Sequence, residues 1–129
     1  MAIQASLPAQ TAGGSTSTTM LGVFEVSHFE TDTVQEVTLT PPPGYTTING
    51  VATNNVTFNF RQLRAGVAVQ TFASIALTAG NNLVAETPLQ VPITVQPVFE
   101  SNDVVDVQMV QNGSGLAVVI GVVAAVTVN

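Results

Sequence analysis

The sequence predicts an all-β protein: a single-domain antiparallel β-sandwich or barrel, jelly-roll-like, of about eight strands. Three observations carry that expectation. From Leu21 onward apolar residues recur with a period of two, not the 3.6 of a helix. Strand candidates follow one another at roughly 10–15-residue spacing with no helix-period segment between them. The breaks between them are written in Pro, Gly and Asn, the residues of turns.

Residues 1–20 differ from the rest. Gln10-Thr11-Ala12-Gly13-Gly14-Ser15-Thr16-Ser17-Thr18-Thr19 has no periodicity and reads as a flexible or extended N-terminal arm, with residues 21–129 as the β-sandwich body. The arm is either a frayed terminus or a segment that orders on a neighbouring subunit, and Leu7 is its candidate contact. Strands are then expected over 21–29, 33–40, 55–63, 67–78, 83–86, 90–96, 103–111 and 116–128, all rich in residues suited to a pleated surface. In 67–78 the alternation places Val67, Val69, Thr71, Ala73, Ile75 and Leu77 on one face, opposite Ala68, Gln70, Phe72, Ser74 and Ala76. The last strand is apolar on both faces: Val118, Ile120, Val122, Ala124, Val126 and Val128 back onto Val119, Gly121, Val123, Ala125 and Thr127. Such a strand belongs at a sheet centre or between partners.

Turn chemistry fills the gaps. Pro41-Pro42-Pro43-Gly44-Tyr45 is a loop, because three prolines remove donors a sheet needs. Asn49-Gly50 and Asn112-Gly113 are expected to supply the left-handed positions of tight hairpins, and Gly80-Asn81-Asn82 ends the strand before it. Pro88, Pro92 and Pro97 make 88–99 an edge or bulged strand.

Length and composition bound the rest. A chain of 129 residues and 13.3 kDa fits one domain. At that mass a folded monomer exposes roughly 6,400 Å². Without cysteine there is no disulfide, thiol nucleophile or thiolate metal site. Only 8% of residues are charged, against roughly 25% in an average soluble chain. There is no lysine, the only cations are Arg61 and Arg64, and eight acids leave a net charge of −6 and a pI near 4.1. Nucleic acid and anionic membrane surfaces both require a cationic face that this chain cannot build. With 46% hydrophobic residues and a mean hydropathy of +0.43, the chain can bury a core, yet its surface has few charges to keep copies apart. Much of that surface is therefore expected to be covered in the working state, with Thr, Asn and Gln contributing solubility. The N-terminus has no positive region or apolar stretch of a signal peptide, and 116–128 is too short for a membrane helix, so the chain reads as made in the cytoplasm and presented whole.

No assembled catalytic site is legible, and the chain is expected not to be an enzyme. Its single histidine, His28, adjoins Ser27, but neighbours in a strand point to opposite faces, so a Ser27 or Ser101, His28, Asp32 relay lacks its geometry. His28, Glu30 and Glu36 fall short of the usual zinc ligand sets. Glu100-Ser101-Asn102-Asp103-Val104-Val105-Asp106 lacks the spacing of an EF-hand and reads as a solvated acidic turn, which leaves a surface calcium ion open. No cofactor is expected. Without tryptophan and with one tyrosine, Tyr45, stacked-ring carbohydrate binding has little to work with. Arg61 and Arg64 read either as exposed residues paired with carboxylates or as bidentate contacts across an interface.

Asp103-Val-Val-Asp-Val-Gln-Met-Val-Gln-Asn-Gly-Ser-Gly-Leu-Ala117, followed by the alternating valine strand, resembles the C-terminal hairpin of small capsid decoration (cement) proteins of tailed bacteriophages. The Ala/Gly/Ser/Thr-rich start, the absent cysteine and the all-β body agree with that family. The resemblance implies a homotrimer on the capsid exterior that braces adjacent major capsid subunits, often through an N-terminal arm, with no catalytic residues to transfer. On that expectation the localisation is the virion, the partners are further copies of the chain and the major capsid protein, and the interface residues are Leu7, Arg61, Arg64, Val118, Ile120, Val122 and Val126. A receptor- or glycan-binding module of a viral fibre or adhesin is the alternative, with loops 41–50 and 97–103 carrying specificity.

Overall fold

A computed structural model describes residues 2–24 and 33–129. They form eight strands and no helix: β1 (Ala2–Ser6), β2 (Ser17–Val23), β3 (Val34–Thr40), β4 (Val56–Arg64), β5 (Val67–Ala76), β6 (Leu89–Gln90), β7 (Val104–Gln111) and β8 (Val123–Val128). Two four-stranded antiparallel sheets, β1-β8-β3-β6 and β2-β7-β4-β5, make a β-sandwich. The pairing is nested: β1 lies on β8, β2 on β7, β3 on β6 and β4 on β5. The chain thus behaves as one long hairpin wound across both sheets. The exposed area, 6429 Å², agrees with the area expected from mass alone.

Phe58, Phe60, Phe72, Val105, Val107 and Met109 point inward from one sheet, and Val37, Leu39, Ala124, Val126 and Val128 from the other. Alternation puts all but Phe72 there. At one end of the sandwich Phe24 stacks on Phe99, with centroids 3.9 Å apart and planes within 5°, while Phe72 meets Phe99 edge-on at 6.0 Å. The T-shaped arrangement suits the ring quadrupoles, and the stacked pair brings two apolar faces together.

Four expectations are corrected. The arm boundary at residue 20 does not hold on this chain: β1 pairs in register with β8, most of β2 precedes residue 21, and Leu7 is buried, with its N–H donating to the Val122 carbonyl. Ala2-Ile3-Gln4-Ala5-Ser6 is a short strand whose alternation was too weak to separate from the polar tract that follows it. In β5 the expected single face breaks at two bulges, where the register with β4 steps over Val69 and Phe72. Each extra residue flips the strand, so Phe72 and Ala73 are both buried while Val67 and Val69 are exposed. The long 116–128 strand is interrupted by a turn at Ile120-Gly121, and only 123–128 is β8. Expected strands 83–86 and 90–96 shrink to isolated bridges and the two-residue edge strand β6. The prolines of 88–99 account for the second of these by withholding ladder donors.

The tight hairpin is β4–β5, turned by Ala65-Gly66 with φ of 52° and 78°. Positive φ at both central residues is what a type I′ turn requires. Asn49-Gly50 is not such a hairpin; Gly50 is needed because a side chain there would run into the carbonyl oxygens of Thr78 and Asn81.

Candidate functional site

Both cations of the chain meet carboxylates across the β4–β7 ladder. Arg61 lies directly opposite Asp106 in the register, and its Nε and Nη2 donate to the two carboxylate oxygens at 2.9 and 2.7 Å. Three residues on, the same register brings Arg64 to Asp103, again bidentate, at 2.9 and 2.8 Å. Because three is odd, the two pairs occupy opposite faces of one strand pair. Arg61–Asp106 lies on the outer face of the sheet, beside Met20, which pairs with Asp106 from β2. Arg64–Asp103 closes the inner face at the end of the sandwich.

Asp103 is the better held of the two carboxylates. Its side chain is fully buried, and besides Arg64 it accepts from Gln62 Nε2 and from the Glu100 backbone N–H, both at 2.8 Å. The Arg64 guanidinium, helped by these two donors, holds its pKa at about 2 against the opposing effect of burial. Gln62 also donates to the Val98 carbonyl and accepts from Gln70, so the 97–103 loop is tied to β4 and β5 through one buried amide. Glu100 adds a longer contact to Arg64 at 3.2 Å. The acidic stretch is therefore not a solvated turn, since its two aspartates are buried and paired. No group of three or more His, Cys, Asp or Glu among the described residues is arranged to hold a metal ion.

The expected interface residues separate into two groups. Leu7, Val118, Val122 and Val126 lie in the chain's own core, each at most 2% exposed, and cannot meet a partner in this fold. They face inward because β8 is central in its sheet and Gln10 and Val118 form a bridge that carries the flanking segment over the core. Arg61 and Arg64 are half-exposed and saturated by internal carboxylates, so the reading that pairs them within the chain describes this geometry. Ile120 alone of the apolar candidates stands out at the surface, beside Val119. His28, Ser27, Glu30 and Asp32 lie outside the described residues.

Exposed apolar side chains that the sequence reading did not single out are Met20, Val23, Val51, Val84, Val95 and Val98, together with Val67 and Val69 turned outward by the bulges. An open groove of about 570 Å³ crosses the outer face of the other sheet, between Gln4, Thr38 and Ala125 on its floor and Pro41, Pro42 and Glu86 on its wall. Tyr45 is not available as a stacking platform: its ring is buried and its hydroxyl donates to the Val119 carbonyl at 2.7 Å. Burial raises its pKa and that hydrogen bond partly offsets the rise.

Matching Arg61-x-x-Arg64 to Asp103-x-x-Asp106 was the available signal for the ion pairs. The spacing alone leaves two registers, because Glu100-x-x-Asp103 repeats it, and the β4–β7 ladder selects the one that sets Arg61 opposite Asp106. The bulges in β5 have no comparable mark in Val67-Ala-Val-Gln-Thr71.

No protein-family model, curated protein or solved structure matches the chain.

Proposed function

We propose that the chain is a structural virion protein that binds the exterior of a phage capsid as a homotrimer and stabilises the junctions between major capsid subunits. One observation carries this reading. After the core is filled and both arginines are satisfied internally, ten large apolar side chains among the described residues remain exposed on a surface with few charges. Scattered apolar residues are ordinary, but with so little charge around them they favour contact with other protein surfaces. The nested pairing of β1·β8, β2·β7, β3·β6 and β4·β5 supports reading the sandwich as a jelly roll, an architecture shared by capsid and lectin domains. A protein that binds only the assembled shell stabilises it by mass action.

Residues 2–7 and 17–20 contribute strands and a core side chain, so shell contact rests on the body's outer surface rather than on a detachable arm. The test is the copy number of the chain in purified virions, measured by quantitative mass spectrometry. A number that scales with the major capsid subunit supports the shell role; absence from the particle rejects it. A handful of copies at a tail tip would favour the receptor-binding alternative, for which the groove beside Pro41 and Pro42 is the specific feature.

A further inference from the structure

The groove on the outer face of the β1-β8-β3-β6 sheet is lined by polar groups that the fold does not use. The register sets Gln4, Ala125 and Thr38 in one row across β1, β8 and β3, and Thr40 lies in the row beyond. Pro41 and Pro42 follow directly from the end of β3 to form the wall, and Glu86 stands beside them. The side chains of Gln4, Thr38, Thr40 and Glu86 make no hydrogen bond or ion pair among the described residues.

Glu86 is the unusual member of this lining. It occupies the Val84–Thr87 turn with a φ of 54°, which glycine and asparagine adopt more readily than glutamate. The bonds that close the turn do not involve its side chain. The Thr87 N–H donates to the Val84 carbonyl, the Thr87 hydroxyl to the Ala85 carbonyl, and the Glu86 N–H to the Pro41 carbonyl. The backbone is strained beneath an exposed carboxylate that contributes nothing to the turn. Strain of this kind clusters at sites where the side chain serves binding.

We infer that this groove receives an arginine side chain from a partner protein, with Glu86 as its counter-charge. The inference rests on the shell-binding role proposed above and names the chemistry of the partner at one surface. Charge selects a cation. Both guanidinium groups of the chain lie on the other sheet, paired to Asp103 and Asp106, so neither neutralises Glu86. Glu36, two residues from Thr38 on the same strand face, adds a second negative group. The same pairing excludes a second copy as the donor, since the chain has no lysine and both of its arginines are taken. Shape selects a side chain over a free small cation. Small ligands are held by enclosure on most sides, and this groove is open. A side chain brings its own surface to cover it. Arginine matches the lining: Pro42 and Ala125 offer apolar surface to its stem, the Glu86 carboxylate to its fork, and the hydroxyls and amide to its remaining donors.

The test is a titration of the isotope-labelled full chain with the peptide acetyl-Ala-Arg-Ala-amide at low ionic strength, followed through amide chemical shifts. The control is the same peptide with citrulline, which keeps the shape of arginine without its charge. The arginine peptide is expected to move the amides of Gln4, Thr38, Thr40 and Glu86 together and saturably, and the citrulline peptide to leave them in place. Glu86→Gln is expected to weaken binding about fivefold with an unchanged melting temperature. Glu86→Asn is expected to weaken it as well, yet to melt above the wild type, because asparagine suits the positive φ. A purely structural Glu86 would not separate stability from binding in this way. The inference is overturned by shifts absent from the groove or centred elsewhere on the chain, residues 25–32 included. Equal binding of the citrulline peptide, undiminished binding by Glu86→Gln, or a Glu86→Asn that loses stability together with binding also overturns it. The citrulline comparison needs no variant and decides the matter if the variants unfold. A methyl glycoside that moves the groove amides while the arginine peptide does not rejects the inference in favour of the glycan-binding alternative. The shell role fails separately. A chain present at capsid copy number whose groove ignores the arginine peptide removes this site alone, and a chain that binds the peptide yet is absent from virions removes the shell role alone.

Discussion

Arg64 and Asp103 meet in the same antiparallel register that pairs Arg61 with Asp106, but on the opposite face of the ladder, so one strand pair is clamped from both sides. The inner clamp is the more consequential, because Asp103 also gathers Gln62 and the Glu100 N–H and thereby holds the 97–103 loop against the sheets.

Acid should loosen that end. The folded-state pKa of Asp103 is lowered from 3.8 to about 2, so its contribution is full above the unfolded value and is lost as pH falls through the folded one. At neutral pH the shift corresponds to at most about 2 kcal/mol, less once water screens the half-exposed Arg64. Asp103→Asn is expected to lower stability at pH 7 in urea titrations. The gap to the wild type should close between about pH 4 and pH 2. A gap independent of pH would show that the charge of Asp103 does not matter.

The loop clamp has an apolar counterpart. Phe99 is buried between Phe24 and Phe72, and Phe99→Ala removes a stacked and an edge-on contact at once. The expected loss is about 3–5 kcal/mol. Hydrogen exchange should show residues 97–103 losing protection before the β4–β7 ladder does.

At the β4–β5 turn Ala65 sits at a φ of 52°, where a side chain without local hydrogen bonding costs about 1 kcal/mol. Ala65→Asn is expected to raise the melting temperature by several degrees, and Gly66→Val to lower it. Equal melting of all three proteins would argue against a type I′ turn.

Gly50 tests packing instead of turn geometry. A Cβ there meets the Thr78 and Asn81 carbonyl oxygens, which are backbone and cannot swing away. Gly50→Ala is expected to destabilise by at least 2 kcal/mol, read from thermal unfolding, through overpacking. Gly44→Ala, where a Cβ has open space, isolates by comparison the cost of a positive φ.

Most of the fold was legible because a period of two needs only adjacent residues to be read. β3, β4, β5 and β7 fall within a residue or two of their expected bounds. What was not legible depends on partners distant in sequence. The outward turn of Val67 and Val69 comes from bulges defined by β4, and the burial of Val118 and Val122 comes from segments more than a hundred residues earlier, which pair on either side of the exposed Ile120. The same distance hid β1, whose five residues become a strand only because β8 lies beside them. For the candidate site, the spacing of Arg61 and Arg64 was visible but matched both Glu100/Asp103 and Asp103/Asp106, so the pairing waited on the β4–β7 register.

The proposed shell role is tested most directly by the temperature at which virions lacking the chain release their genome, measured while the purified chain is added back. Selective binding to the intact shell predicts a release temperature that climbs with chain concentration, following the logarithm of ligand over dissociation constant, and the chain sedimenting with the particles. A release temperature unmoved at every concentration, with the chain left in the supernatant, would contradict it.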